Sequence, residues 1–91
     1  MKVVINTSGI GLNLSLRAVE YLIKYRIIKS PLDVGKVNRN HPRLVRCIEV
    51  LGDDSSLDIL KVVNIEDEVK YHVSPIKVHN RVREIIYPIY E

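Results

Sequence analysis

The first seventeen residues change periodicity, and that change restricts the fold more than any other feature of the chain. Lys2–Asn6 reads Lys-Val-Val-Ile-Asn, short and β-branched, which predicts a buried strand. Thr7–Leu14 follows as a loop carrying Gly9 and Gly11. Ser15 then offers a hydroxyl that can cap a first turn, and Leu16, Val19, Leu22, Ile23 and Ile27 recur at helical spacing. The pattern predicts an amphipathic helix over Ser15–Ile28, with Glu20 and Lys24 four apart in the favourable order. A chain that passes from strand to helix so early must pack one against the other, so both kinds of structure share a core.

Beyond that helix, Lys29–Asn40 holds Pro31, Gly35 and two asparagines, which breaks it up and leaves room only for a short extended piece near Asp33–Val37. Asn40 is the expected cap of a second helix, with Pro42 in its first turn and Gly52 as its stop. Leu44, Val45, Ile48 and Leu51 form its apolar stripe, with Cys47 beside it. Leu57–Ile65 is apolar on both alternation sets, as in a central strand covered on both faces. Glu66-Asp67-Glu68 reads as an acidic turn. Val69, Tyr71 and Val73 alternate with polar residues as in a half-exposed strand, Pro75–Asn80 reads as a loop or wide hairpin, and Arg81–Tyr87 is again β-rich. Pro88 is expected to limit further pairing, and the tail Ile89-Tyr90-Glu91 to pack or to pair across an interface. The expected fold is therefore α+β. Two helices pack on a small, mainly antiparallel sheet of about four strands, in a single domain spanning residues 1–91.

Composition narrows the function classes. The chain is 46% hydrophobic and 27% charged, which is globular rather than disordered. Ninety-one residues support only a modest core, so a homo-oligomer is expected to bury more. One cysteine cannot form an internal disulfide, and no apolar run approaches the roughly 18 residues of a membrane span, so a reducing cytosol is the expected compartment. Residues 1–51 carry nine Lys and Arg against three acids, a net of +6, whereas residues 52–91 carry five against eight, a net of −3. A basic face of this kind attracts nucleotides, nucleic acid or an acidic protein.

Two stretches carry candidate chemistry. Gly9 and Gly11 let the backbone approach a ligand closely, and the N–H groups of Gly9–Asn13 and the following helix suit a phosphate or carboxylate. The run is not a Walker A loop and lacks the third glycine of a dinucleotide fingerprint, so a plain connecting turn is the alternative. The second stretch, Lys36-Val-Asn-Arg-Asn-His-Pro-Arg with Arg46 a turn later, gathers Lys36, Arg39, His41, Arg43 and Arg46 around one helix start. Arginines there can grip phosphate bidentately, and a solvated basic loop is the alternative. The ligand-binding candidates are thus Gly9, Gly11, Asn13, Arg39, Arg43 and Arg46. His72 and His79 have no metal-ligand spacing, Cys47 reads as a small core residue, and no nucleophile–base arrangement is legible. No catalytic residue, metal or cofactor is expected. Tyr71, Tyr87 and Tyr90 are placed to stack on a base or to lie at a core edge.

The order of these pieces resembles a family of small, mostly uncharacterised tailed-bacteriophage proteins that open with a Met-Lys-Ile-Val-Ile-Asn strand, a Gly-rich loop and a Leu-Ser helix start. The counterparts are Met1–Asn6, Gly9-Ile10-Gly11 and Leu14-Ser15, followed by Arg43–Gly52, Leu60–Ile65 and Val69–Val73. Thr7–Leu12 departs from that family's Cys-Tyr-Gly-Gly-Phe loop, and Pro75–Asn80 from its Tyr-Asp-Gly turn. The resemblance implies a phage-encoded accessory protein without enzymatic activity, acting in the host bacterial cytoplasm. The expected function is an anti-defence sponge that sequesters a small anionic, nucleotide-type ligand as an oligomer. The alternative is a protein- or nucleic-acid-interaction module that inhibits or recruits a host factor. If the glycine loop and the Lys36–Arg46 stretch meet in space or across a subunit interface, Asn6–Arg17 is half of a site; if they lie at opposite ends, it is a turn.

Overall fold

A computed structural model describes residues 1–89 of the chain; Tyr90 and Glu91, including the expected tail packing and the Tyr90 ring, lie outside the described residues. The described residues form an α+β fold. Strand β1 (Lys2–Asn6) leads through the glycine loop to helix α1 (Leu16–Lys24). A 3-10 helix over Pro31–Lys36 precedes helix α2 (Pro42–Leu51), and a second one covers Gly52–Ser55. Strands β2 (Leu60–Asn64), β3 (Lys70–Val78) and β4 (Arg81–Ile89) complete the chain. The four strands form two antiparallel pairs, β1 with β2 and β3 with β4.

The two helices and the inner face of β1 enclose the aliphatic core. Val4, Ala18, Leu22, Leu44 and Cys47 have no solvent exposure, and Val19, Val45 and Ile48 close around them. Ser15 caps α1 as expected, its hydroxyl accepting the Ala18 N–H at 3.2 Å. The helix ends at Lys24, four residues before Ile28, because Tyr25 turns the chain and Arg26 takes a left-handed φ of 60°. Ile28 nevertheless folds back into the core, while Leu16 and Ile23, both assigned to the buried stripe by spacing, are exposed. Helix α2 keeps both of its expected ends, with Pro42 in the first turn and Gly52 at positive φ. Its cap is His41, whose Nδ1 accepts the Arg43 N–H at 3.1 Å, and not Asn40. The expected extended piece near Asp33–Val37 is instead the 3-10 helix, held by the Asp33 carboxylate accepting the Lys29 and Ser30 N–H groups.

The sheet departs from expectation in three places. Strand β2 is shorter than Leu57–Ile65 and pairs with β1 alone; Leu57 is 97% exposed, so its apolar character does not mark a covered strand. Strand β3 runs straight through Pro75, and β4 through Pro88. Each lies in a two-stranded ribbon, where a missing N–H can face the unpaired edge. The wide hairpin is in fact tight. His79 and Asn80, at φ of 50° and 64°, form the whole connection, as in the two-residue turns that match strand twist. The two ribbons do not merge because the free edge of β1 is already occupied. The Val4 N–H donates to the Arg39 carbonyl at 2.9 Å, and the Asn6 N–H donates to the Glu84 carboxylate at 2.8 Å.

Candidate functional site

Glu84 joins four parts of the molecule. Period-two alternation along β4 places Val82, Glu84 and Ile86 on the face turned toward β1, and Glu84 is only 3% exposed. Its two oxygens accept from the Arg39 guanidinium at 2.6 and 2.9 Å, from the Asn6 N–H at 2.8 Å and from the Gly11 N–H at 2.8 Å. Arg39 also donates to the Val4 carbonyl at 3.2 Å. Burial pushes the Glu84 carboxyl up, but the guanidinium and the two backbone donors outweigh it and hold the group below the usual carboxylate range. The glycine loop and the Lys36–Arg46 stretch do meet, then, and the anion between them is the chain's own.

A second carboxylate sits on the other side of the loop. Asp58 accepts from the Asn6 and Asn13 side-chain amides, which together with Ser8 hold its carboxyl below its ordinary value. The Asn6 amide also donates to the Gly11 carbonyl at 2.7 Å, and its oxygen accepts the Ser8 N–H at 2.9 Å. The two glycines have different reasons to be there. A Cβ on Gly9 would stand 3.0 Å from an Asp58 oxygen, whereas Gly11 needs its φ of 78° to aim its N–H at Glu84. Gly9, Gly11, Asn13 and Arg39 therefore converge on two internal carboxylates. Arg43 and Arg46 do not join them. Arg43 lies 4.0 Å over the Tyr25 ring, and Arg46 is exposed on α2. Lys36 pairs with Asp33 at 3.6 Å, and burial pushes the Cys47 thiol up to about 11.

Outside this network, a cleft of about 890 Å³ opens between the start of the glycine loop and the tip of the β3–β4 hairpin. Thr7, Ser8 and Ile59 form one wall; Val78, His79, Arg81, Val82 and Arg83 form the other. The Thr7 hydroxyl donates to the Ile59 carbonyl at 3.0 Å, and the Ser8 hydroxyl accepts the Ile59 N–H at 2.8 Å, which fixes both at the rim. Arg83, which lines the cleft, donates through Nε to the Glu84 carbonyl at 3.3 Å. Neither Arg81 nor Arg83 has a carboxylate partner among the described residues. Two guanidinium groups and an imidazole around an opening of this size suit a phosphate or carboxylate attached to a small organic body, while the Thr7 hydroxyl, its proton given to Ile59, is left as an acceptor.

Sequence reasoning missed Arg81, Arg83 and His79 because the acidic residues near Asp53 and Glu66–Glu68 hid the basic hairpin in a net-negative half. Residues 70–89 alone carry four Lys and Arg and a single acid. It also missed Glu84, although the alternation of Val82, Glu84 and Ile86 sets a carboxylate on an inward strand face. Among the described residues no cluster of three or more His, Cys, Asp or Glu has metal-binding proximity, and no helix is long and apolar enough to cross a membrane. Compared with protein-family models, curated proteins and solved structures, the chain has no significant match to any of them.

Proposed function

We propose that this chain is a non-enzymatic binding module that holds a small anionic, nucleotide-type ligand in the cleft between Thr7–Ser8 and the hairpin tip. The observation that carries this reading is the placement of Arg81 and Arg83, without acidic partners, opposite two positioned hydroxyls. The internal carboxylates support it from the other side. Arg39 is neutralised by Glu84, which also accepts the Gly11 N–H, so the guanidinium nearest the glycine loop is already matched while Arg81 and Arg83 at the cleft have no carboxylate. Ile59, Val78 and Val82 give the ligand's organic body an apolar wall. In the phage setting that the sequence resemblance implies, holding such a ligand in the host cytoplasm amounts to sequestration. Self-association would multiply the number of sites per particle.

Calorimetry of the full chain against AMP, ADP-ribose and a cyclic dinucleotide tests the reading. Binding of at least one of them is expected, weakened about tenfold or more by Arg81→Ala or Arg83→Ala, as for loss of one charge-assisted bidentate contact. Arg43→Ala and Arg46→Ala are expected to leave it unchanged. Absence of heat with every probe, from protein shown to be folded, overturns the reading.

A further inference from the structure

We propose that the anion recognised here belongs to a single-stranded nucleic acid, which enters the cleft and continues along the outer face of the β3–β4 hairpin. The inference rests on the anionic reading of the cleft and names its ligand class. The hairpin register decides which residues share that face. Glu84 lies opposite Pro75 and points inward to Asn6, Gly11 and Arg39. The pairs flanking it by one residue therefore point outward: Arg83 with Ile76, Arg81 with Val78, and beyond them Tyr87 with His72.

The charge on that face is one-sided. Arg81 and Arg83 are exposed on it, and among the described residues it has no carboxylate. The one acid of the hairpin is on the opposite face and is neutralised by Arg39. Such a surface repels a second copy of itself and complements a polyanion.

The face also carries what a polyanion alone does not need. Tyr87 is 47% exposed beside His72, and Val78 is similarly open near the tip. Rings and apolar side chains set among cations suit unstacked bases, whose flat faces are available in a single strand and hidden in a duplex. Nine residues of strand extend about 30 Å, a track along which several nucleotides of a single strand can lie.

Fluorescence anisotropy with labelled oligothymidylates of 1 to 12 nucleotides tests this on the wild-type chain. Affinity is expected to rise with length and level off once the hairpin is covered, and log K to fall linearly with log salt concentration. Tyr87→Ala is expected to weaken a 10-mer about tenfold, in line with loss of one base stack, while leaving the mononucleotide unaffected. A mononucleotide that binds as tightly as the 10-mer overturns the inference and leaves the cleft reading standing. So does a duplex of equal length that binds as tightly as the single strand, since stacking then contributes nothing. If neither mononucleotide nor oligomer binds, both readings fall together.

Discussion

The body formed by β1, β2 and the helices and the ribbon formed by β3 and β4 are held by different forces. In the body, Val4, Leu22 and Leu44 are wholly buried, and stability follows the removal of aliphatic surface from water. The ribbon contributes no residue to that core, and its one buried side chain is a carboxylate. A two-stranded ribbon is marginal alone, so its attachment depends on the Glu84 network. Apolar packing tolerates changes of pH and salt, while an ion pair with two backbone donors holds a fixed geometry and responds to both. The face that carries Arg81 and Arg83 is thus mounted on the part of the molecule whose position is set by charge.

Hydrogen exchange measured alongside chemical denaturation can break this contrast. Leu44→Ala should have the largest effect, lowering global stability by roughly 3–4 kcal/mol through a cavity in the core and lowering protection in body and ribbon alike. Glu84→Gln should be smaller, about 2–3 kcal/mol, since it leaves Arg39 without its charge partner although that side chain keeps 20% of its exposure. Its loss of protection should be concentrated in β3, β4 and the glycine loop. Equal loss in α1 and α2 would show that the two parts do not separate.

Acid should produce a milder form of the same change, because a neutral carboxyl still accepts from Asn6 and Gly11. The folded Glu84 carboxyl lies below its ordinary value of 4.5, so the folded state binds fewer protons than the unfolded one in that window. Its contribution is complete above pH 4.5 and is lost as pH falls through the folded value. Amide exchange in the ribbon should quicken there before the helices respond, and Glu84→Gln should abolish the difference.

Local signals in the sequence were legible and non-local ones were not. The Ser15 cap, and Pro42 and Gly52 at the ends of α2, each follow from residues within one element. The early end of α1 has no glycine or proline to announce it; Tyr25 and Arg26 turn because Ile27 and Ile28 must reach back to the core. Leu57 and Ile59 looked like strand residues on hydropathy, and both are exposed. In the Gly-x-Gly loop one N–H, that of Gly11, does face an anion. That the anion is Glu84, 73 residues after Gly11, is a tertiary fact that no window of sequence contains.

The two-residue tip at His79–Asn80 imposes a parity rule on the chain. With the two-residue turn kept, one residue added or removed within β4 between the turn and Glu84 reverses inside and outside along the rest of the strand. Arg83 or Ile85 would then meet Arg39, and Glu84 would stand among the outward cations. Length changes between the turn and Glu84 should therefore come in steps of two, so that each variant keeps its acid inside and its arginines outside.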